Sequence, residues 1–343
     1  NGRNIIFSAP FEDDDFTTAN GAGIIDVGST VTGLVVFREQ LIIFSESKIN
    51  RLVGNSVADF QVQPIATDIG CIAGETIQEI SGDVVFLAPD GLRTIAGTER
   101  NQDFSLATIS KPIQKELVAL TSVNSALPSV VIREKSQYRL FGYTAAATAS
   151  SSKGIIGTQL QGQEGQQINW AETTGIKAYA TTSKYVGKVE TVLFVNDDGY
   201  VYKMESGNNF DGSDIVASFS TPYFPITDPR TRKTIYRATI YSDPQGSVDL
   251  DFNLKYDLSA PDVIEPATIT FENTSSSPTT SIYGSVDALF GTSRYSGETL
   301  QSIFNSQTQG SGFTVSLQFE SRGTNPPFSL DTTVLEYGQY GRR

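Results

Sequence analysis

Four stretches of the chain repeat one pattern: an apolar β-branched or aromatic run, a turn built from Asp, Asn, Gly or Ser, a second run, and a glycine at the exit. They are Leu41 to Gly54 (LIIFSESKINRLVG), Val84 to Gly97 (VVFLAPDGLRTIAG), Val130 to Gly142 (VVIREKSQYRLFG) and Val192 to Gly207 (VLFVNDDGYVYKMESG). Each reads as a β-hairpin whose first strand is buried on both faces. The closing glycines Gly54, Gly97, Gly142 and Gly207 recur 43, 45 and 65 residues apart. A recurrence of about 40–50 residues with four strands per unit is the period of a propeller blade. The longer last gap reads as an insertion, Ala145 to Gln167.

With 343 residues, the chain exceeds the about 250–300 residues that one core usually serves, so two domains are expected. Its formal charge is −13, and both halves share the acidity. Neither resembles an ordinary basic nucleic-acid-binding module. Twenty Phe and fourteen Tyr supply filling for extended β cores. No run approaches membrane-spanning length. There is no histidine, which removes every His-dependent triad, metal ligand and proton shuttle. The single cysteine, Cys71, reads as a buried thiol. The chain opens at Asn1 and its one methionine is Met204, so earlier blades are expected to precede it.

The acidic loop Phe11 to Phe16 carries three consecutive aspartates, but calcium loops alternate their oxygen donors and this run does not, so it reads as solvated. Gly21 to Asp26 lacks the third glycine of a dinucleotide motif and reads as a turn. Val31 to Phe37, Leu41 to Phe44 and Ile49 to Leu52 read as one sheet, with Phe60 to Ile65 as an edge strand near Pro64. Ser110 to Leu120 (SKPIQKELVAL) is the one helix expected, capped by Ser110 with Pro112 in its first turn. Thr144 to Gly165 has the composition of a surface loop. Trp170 reads as a core anchor.

Near Ala217 the character changes, and the domains are set at 1–216 and 217–343. Three prolines fall within Thr221 to Pro229, which no central strand holds. Residues 234–242 and 247–256 then alternate with period two around Asp243-Pro-Gln-Gly246, a hairpin signal. In the second of these, Asp249, Asp251 and Asn253 share a solvent face while Val248, Leu250, Phe252 and Leu254 pack. The Ser/Thr/Pro/Gly-rich stretch at about 259–311 reads as an excursion from the sheet. It holds scattered apolar segments at Ala267 to Phe271 and Val286 to Phe290. Gly312 to Arg322 and Ser329 to Tyr337 restore alternation and close a β-sandwich. The fold class is therefore all-β: a β-propeller, incomplete in this chain if blades precede it, plus a β-sandwich platform and one short helix. Arg230, Arg232, Lys233 and Arg237 form the one dense basic cluster, read as a solvated strand entrance or as a docking surface for an acidic partner. No Walker A sequence, nucleophile elbow or Cys/His metal spacing occurs, so no catalytic, cofactor or metal residue is assigned and no enzyme is expected.

The run FSAPFEDDDF, the segments IIDVGSTVTGLVVFREQLIIFSESKINRLVG and SVADFQVQPIATDIGCIAGETIQEISGDVVFLAPDGLRTIAGTER, and the C-terminal TPYFPITDPRTRKTIYRATIY and LEYGQYGRR resemble the tail-nozzle (tail hub) proteins of short-tailed bacteriophages. The resemblance covers residues 1–110 and 221–343. It implies a virion tail protein forming a homo-oligomeric ring of six copies below the portal and adaptor. Tail fibre, spike or needle proteins would be neighbours, and genomic double-stranded DNA would pass through the lumen without sequence-specific binding. The rival reading is a carbohydrate-binding or glycosidase-type propeller using Glu172, Asp197 or Asp198, and a third is a monomeric host propeller that binds peptides on its rim.

Overall fold

The computed structural model describes residues 2–54, 56, 58–96, 108–162, 165–244, 246–260, 263, 265–273 and 303–340. The chain divides into two compact units, Asn1–Ser206 and Gly207–Arg343. Ile215–Ser220, which straddles the edge expected at Ala217, thus belongs wholly to the second unit.

In the first unit Asn4–Phe7 (β1) pairs with Gly23–Asp26 (β2), and four antiparallel meanders follow in chain order. The first comprises Val31–Phe37 (β3), Gln40–Ser45 (β4), Ile49–Val53 (β5) and Gln61–Ala66 (β6). The second comprises Gln78–Ile80 (β7), Asp83–Ala88 (β8) and Gly91–Thr94 (β9). A 3-10 turn, Lys111–Ile113, runs into the helix Gln114–Val123 (α1). The third meander is Ser129–Ile132 (β10), Gln137–Phe141 (β11), Lys153–Gly162 (β12) and Gly165–Thr174 (β13), and the fourth is Ala180–Val186 (β14), Val189–Val195 (β15) and Val201–Lys203 (β16). All four hairpins read from the repeated pattern are present, as β4–β5, β8–β9, β10–β11 and β15–β16. Gly97 lies outside the described residues.

What orders the meanders is that their strands serve two cores at once. On β8, Val84, Phe86 and Ala88 join Phe37, Ile42, Phe44 and Ile49 of the first meander, where Cys71 is also buried. The intervening Val85 and Leu87 turn to the other side, against Leu117 and Leu120 of α1 and Val131, Tyr138 and Leu140 of the third meander. β10 repeats the arrangement: Val131 faces back, while Val130 and Ile132 face forward onto Ala178, Val192 and Met204. A strand with apolar residues at every position is therefore the economical choice, because both of its faces are covered. The fourth hairpin departs from this, since Val192 alone of its apolar run is fully buried and the opposite side of β15 is half-exposed.

Two local expectations fail here. The polar stretch Thr144 to Gly165 is a loop only as far as Ser152, with one 3-10 turn at Ala149–Ser151. Lys153–Gly162 pairs with Gly165–Thr174 along its whole length, and Ile155 enters the core. Its glycines are packing residues: a Cβ on Gly157 would lie 2.6 Å from the Trp170 ring. That ring rests against the core, with its Nε1 donating to Ile109 O at 3.1 Å. Ser110 does not cap the helix either. It is buried, and its Oγ accepts the Leu92 N–H at 3.0 Å, beside Gly91 at φ 134°, where a Cβ would lie 2.5 Å from that same oxygen.

The second unit has two four-stranded sheets around one core. Ile215–Ser220 (β17), Arg232–Pro244 (β18), Val248–Tyr256 (β19), Ile269–Asn273 (β20), Ile303–Gln307 (β21), Ser311–Gly312 (β22), Val315–Gly323 (β23) and Phe328–Tyr340 (β24) are its strands. One sheet runs β17-β23-β19-β20; in the other, β18 pairs with β21 and β22 and also with β24. Ile235, Ala238 and Ile240 of β18 meet Leu250, Phe252 and Leu254 of β19 and Phe319 of β23 in the shared interior. The hairpin expected around Asp243-Pro-Gln-Gly246 is thus absent. β18 and β19 belong to opposite sheets, and the connection crosses the layer between them. Alternation alone specifies one buried face, which is satisfied equally by pairing or by stacking. The stretch 259–311 is likewise no simple excursion, because β20 and β21 fall within it and β22 begins at its last residue. Residues 274–302, with the apolar segment Val286 to Phe290, lie outside the described residues.

Candidate interaction surface

The basic cluster lies at the start of β18, and the structure separates its members. The proline-rich lead-in bends at Asp228, whose carboxylate accepts the Arg230 N–H at 2.9 Å and whose carbonyl accepts the Thr231 N–H at 3.1 Å. Strand alternation then sends neighbouring side chains to opposite faces. Lys233 turns inward and is 2% exposed, its Nζ donating to Asp228 O at 2.6 Å and Phe313 O at 3.1 Å. It is a buried fastening for two loops, with no charge presented to a partner. Arg232 turns outward and is exposed. Its Nε donates to Ser311 Oγ at 2.9 Å and its Nη2 to Ser311 O at 3.2 Å, so the guanidinium is held in place. Arg230 is exposed beside it in sequence.

A bulge between Ile235 and Arg237 breaks the alternation, which is why Tyr236 and Arg237 are both exposed. Arg237 Nη1 lies 3.6 Å from Glu336 Oε1 on β24, with both side chains about half-exposed. A pair in that setting contributes roughly 0–1 kcal/mol.

The carboxylates of the rival reading are each engaged locally. Glu172 on β13 accepts from Lys153 Nζ at 2.5 Å. Asp197, at the β15–β16 turn, accepts from Lys177 Nζ at 2.8 Å and the Tyr143 hydroxyl at 3.2 Å. That ammonium holds the Asp197 carboxyl below the usual range. Asp198 accepts from the Tyr202 hydroxyl at 2.6 Å and the Tyr200 N–H at 2.9 Å, and these bonds likewise keep it low. A glycosidase acid needs the opposite, a carboxyl raised so that it holds a proton to give. Asp198 serves the turn, and Asp197 fastens it to Lys177 and Tyr143. Asp249, Asp251 and Asn253 lie on the outer side of β19, where Asp251 accepts from Thr270 and Asn253 from Thr268. Asp13 and Asp14 of the Phe11 to Phe16 loop are exposed, and the half-buried Asp15 accepts from Thr17 N and Asn20 Nδ2.

Among the described residues no group of three or more His, Cys, Asp or Glu side chains is placed to hold a metal ion. A cleft of about 190 Å³ lies between the second and third meanders, lined by Glu79, Ile80, Ser81, Val131, Arg133 and Ser136. No helix among the described residues is long and apolar enough to cross a membrane. No family model matches this chain, and no curated protein matches it either.

Proposed function

We propose that the chain is a wall-forming structural protein of a short phage tail: a β-propeller and a β-sandwich platform repeated around an axis, extending the channel through which genome DNA leaves the virion. The observation that carries this reading is the succession of four meanders in which the middle sheets are covered on both faces. That is how propeller blades stack, and it spends the apolar sequence on shape. The separate two-sheet unit supplies the platform.

The chemistry of passage follows from charge. Binding a phosphate requires a Lys or Arg to replace its counterions. A wall built from a chain of net charge −13 holds duplex DNA away from its surface, so the duplex slides. The test is electron microscopy of the purified protein with portal and adaptor. Rings of six copies around an open lumen lined mainly by acidic and neutral side chains are expected. A monomer, or a lumen lined mainly with Lys and Arg, overturns the reading.

A further inference from the structure

The cleft between the second and third meanders combines a fixed width with side chains whose hydrogen-bonding capacity is unused. Strands β7 and β10 belong to different sheets, and hydrogen bonds between the two meanders hold them at both ends of the segment that lines the cleft. At the start of β7, Gln78 Nε2 donates to Ser129 O at 3.0 Å. Just past its end, the Ser81 hydroxyl donates to Gln159 Oε1 of β12, while the Gln159 N–H donates to Ser136 O at 2.9 Å. The cleft is therefore formed before anything enters it, which spares a ligand the cost of ordering its walls.

Its lining divides by chemistry. Ile80 and Val131, packed into the core behind, supply an apolar patch. Arg133, where the β10–β11 turn begins, is exposed; among the described residues its guanidinium makes no hydrogen bond, and Nη1 stands 3.9 Å from Glu190 Oε1. Glu190 is already engaged by the Arg133 and Glu134 N–H groups and the Ser183 hydroxyl, so the guanidinium keeps its donors. Glu79, exposed on β7, offers acceptors alone, whereas the hydroxyls of Ser81 and Ser136 can both donate and accept. A donor-only group thus stands on one wall and an acceptor-only group on the other, and among the described residues the two form no ion pair with each other.

We infer that this cleft binds a single sugar ring. A sugar hydroxyl is donor and acceptor at once, so neighbouring hydroxyls satisfy Arg133 and Glu79 together without bringing net charge. The C–H face of the ring then rests on Ile80 and Val131. The volume, about 190 Å³, is below the roughly 300–1,000 Å³ of sites for drug-sized ligands, which suits one ring. Opposite charges on the two walls disfavour an isolated phosphate or cation. Glu79 is the one carboxylate in the lining, and glycoside cleavage uses a pair, so the site binds without cutting. None of Glu172, Asp197 and Asp198 lines it, and the inference is independent of assembly into a ring.

Saturation-transfer NMR on the full chain tests this, with glucose, galactose, mannose and N-acetylglucosamine as probes and glycine as a zwitterionic control. At least one sugar should show saturable binding. Glu79→Gln and Arg133→Met should each weaken it at least tenfold, and because both side chains are exposed the thermal midpoint should keep its wild-type value. No saturable binding of any of the four sugars overturns the inference, as does binding unchanged in both variants. Glycine held more tightly than every sugar, and lost in the same variants, overturns the sugar assignment in favour of a zwitterion.

Discussion

Glu190 shows how a single side chain joins two meanders. Its side chain is buried on β15, and its oxygens accept the Arg133 and Glu134 N–H groups at 3.0 and 2.9 Å and the Ser183 hydroxyl at 2.7 Å. Burial by itself pushes the carboxyl up, but these donors outweigh it and the group sits below the usual range. A carboxyl with a depressed folded value stabilises fully above its unfolded value, near 4.3, and that contribution fades as pH falls through the folded value. Glu190→Gln should therefore be less stable than wild type at pH 7 and lose less stability on acidification below about pH 4.3. Chemical denaturation at pH 7 and pH 3 checks it, and parallel losses in the two proteins would refute it. Glu75 does related work one meander earlier, where Oε2 accepts the Leu127 N–H at 3.0 Å. None of this was legible in sequence, where Glu190 and Glu75 look like surface acids. Their backbone N–H donors are 52 to 57 residues away. Gly157 carries the same lesson with the opposite chemistry. Composition marks it as loop, yet Gly157→Val should cost about 1–3 kcal/mol by overpacking against Trp170, measurable as a lower midpoint in urea.

At the level of elements, a short motif was reliable where its partners are adjacent. The β4–β5, β8–β9, β10–β11 and β15–β16 hairpins need only a turn and two flanking runs, all written locally. Ser110 is the counterexample. A Ser before Pro and an amphipathic run is a cap in most helices, but here tertiary packing claims its hydroxyl for the Leu92 N–H. Ser110→Ala should accordingly leave a buried donor unpaired, at a cost of about 1–3 kcal/mol. Hydrogen exchange locates the damage: the Leu92 amide should exchange faster, while amides of the first turn of α1 keep their wild-type rates. Faster exchange confined to α1 would restore the capping account. The basic cluster was legible as composition only. Four charges within eight residues of sequence became an anchored surface arginine, a buried fastening, a cross-strand partner of Glu336 and an exposed loop residue. Strand alternation and one bulge sorted them.

At the scale of the molecule, the two units have cores of their own. A fragment spanning 207–343 should therefore unfold cooperatively by itself, as thermal circular dichroism would report; a broad, non-cooperative melt would show that its core depends on the rest of the chain. Sequence determined the all-β class, the four repeated hairpins, the buried Cys71 and the change of character after the fourth hairpin, because each rests on patterns written within a few residues. Tertiary structure decided what those patterns meet. Whether β18 pairs with β19 or stacks on it, whether a glycine-rich stretch is loop or strand, and whether Lys233 is surface or core depend on segments tens of residues apart. A local pattern states which face is buried and is silent about what buries it.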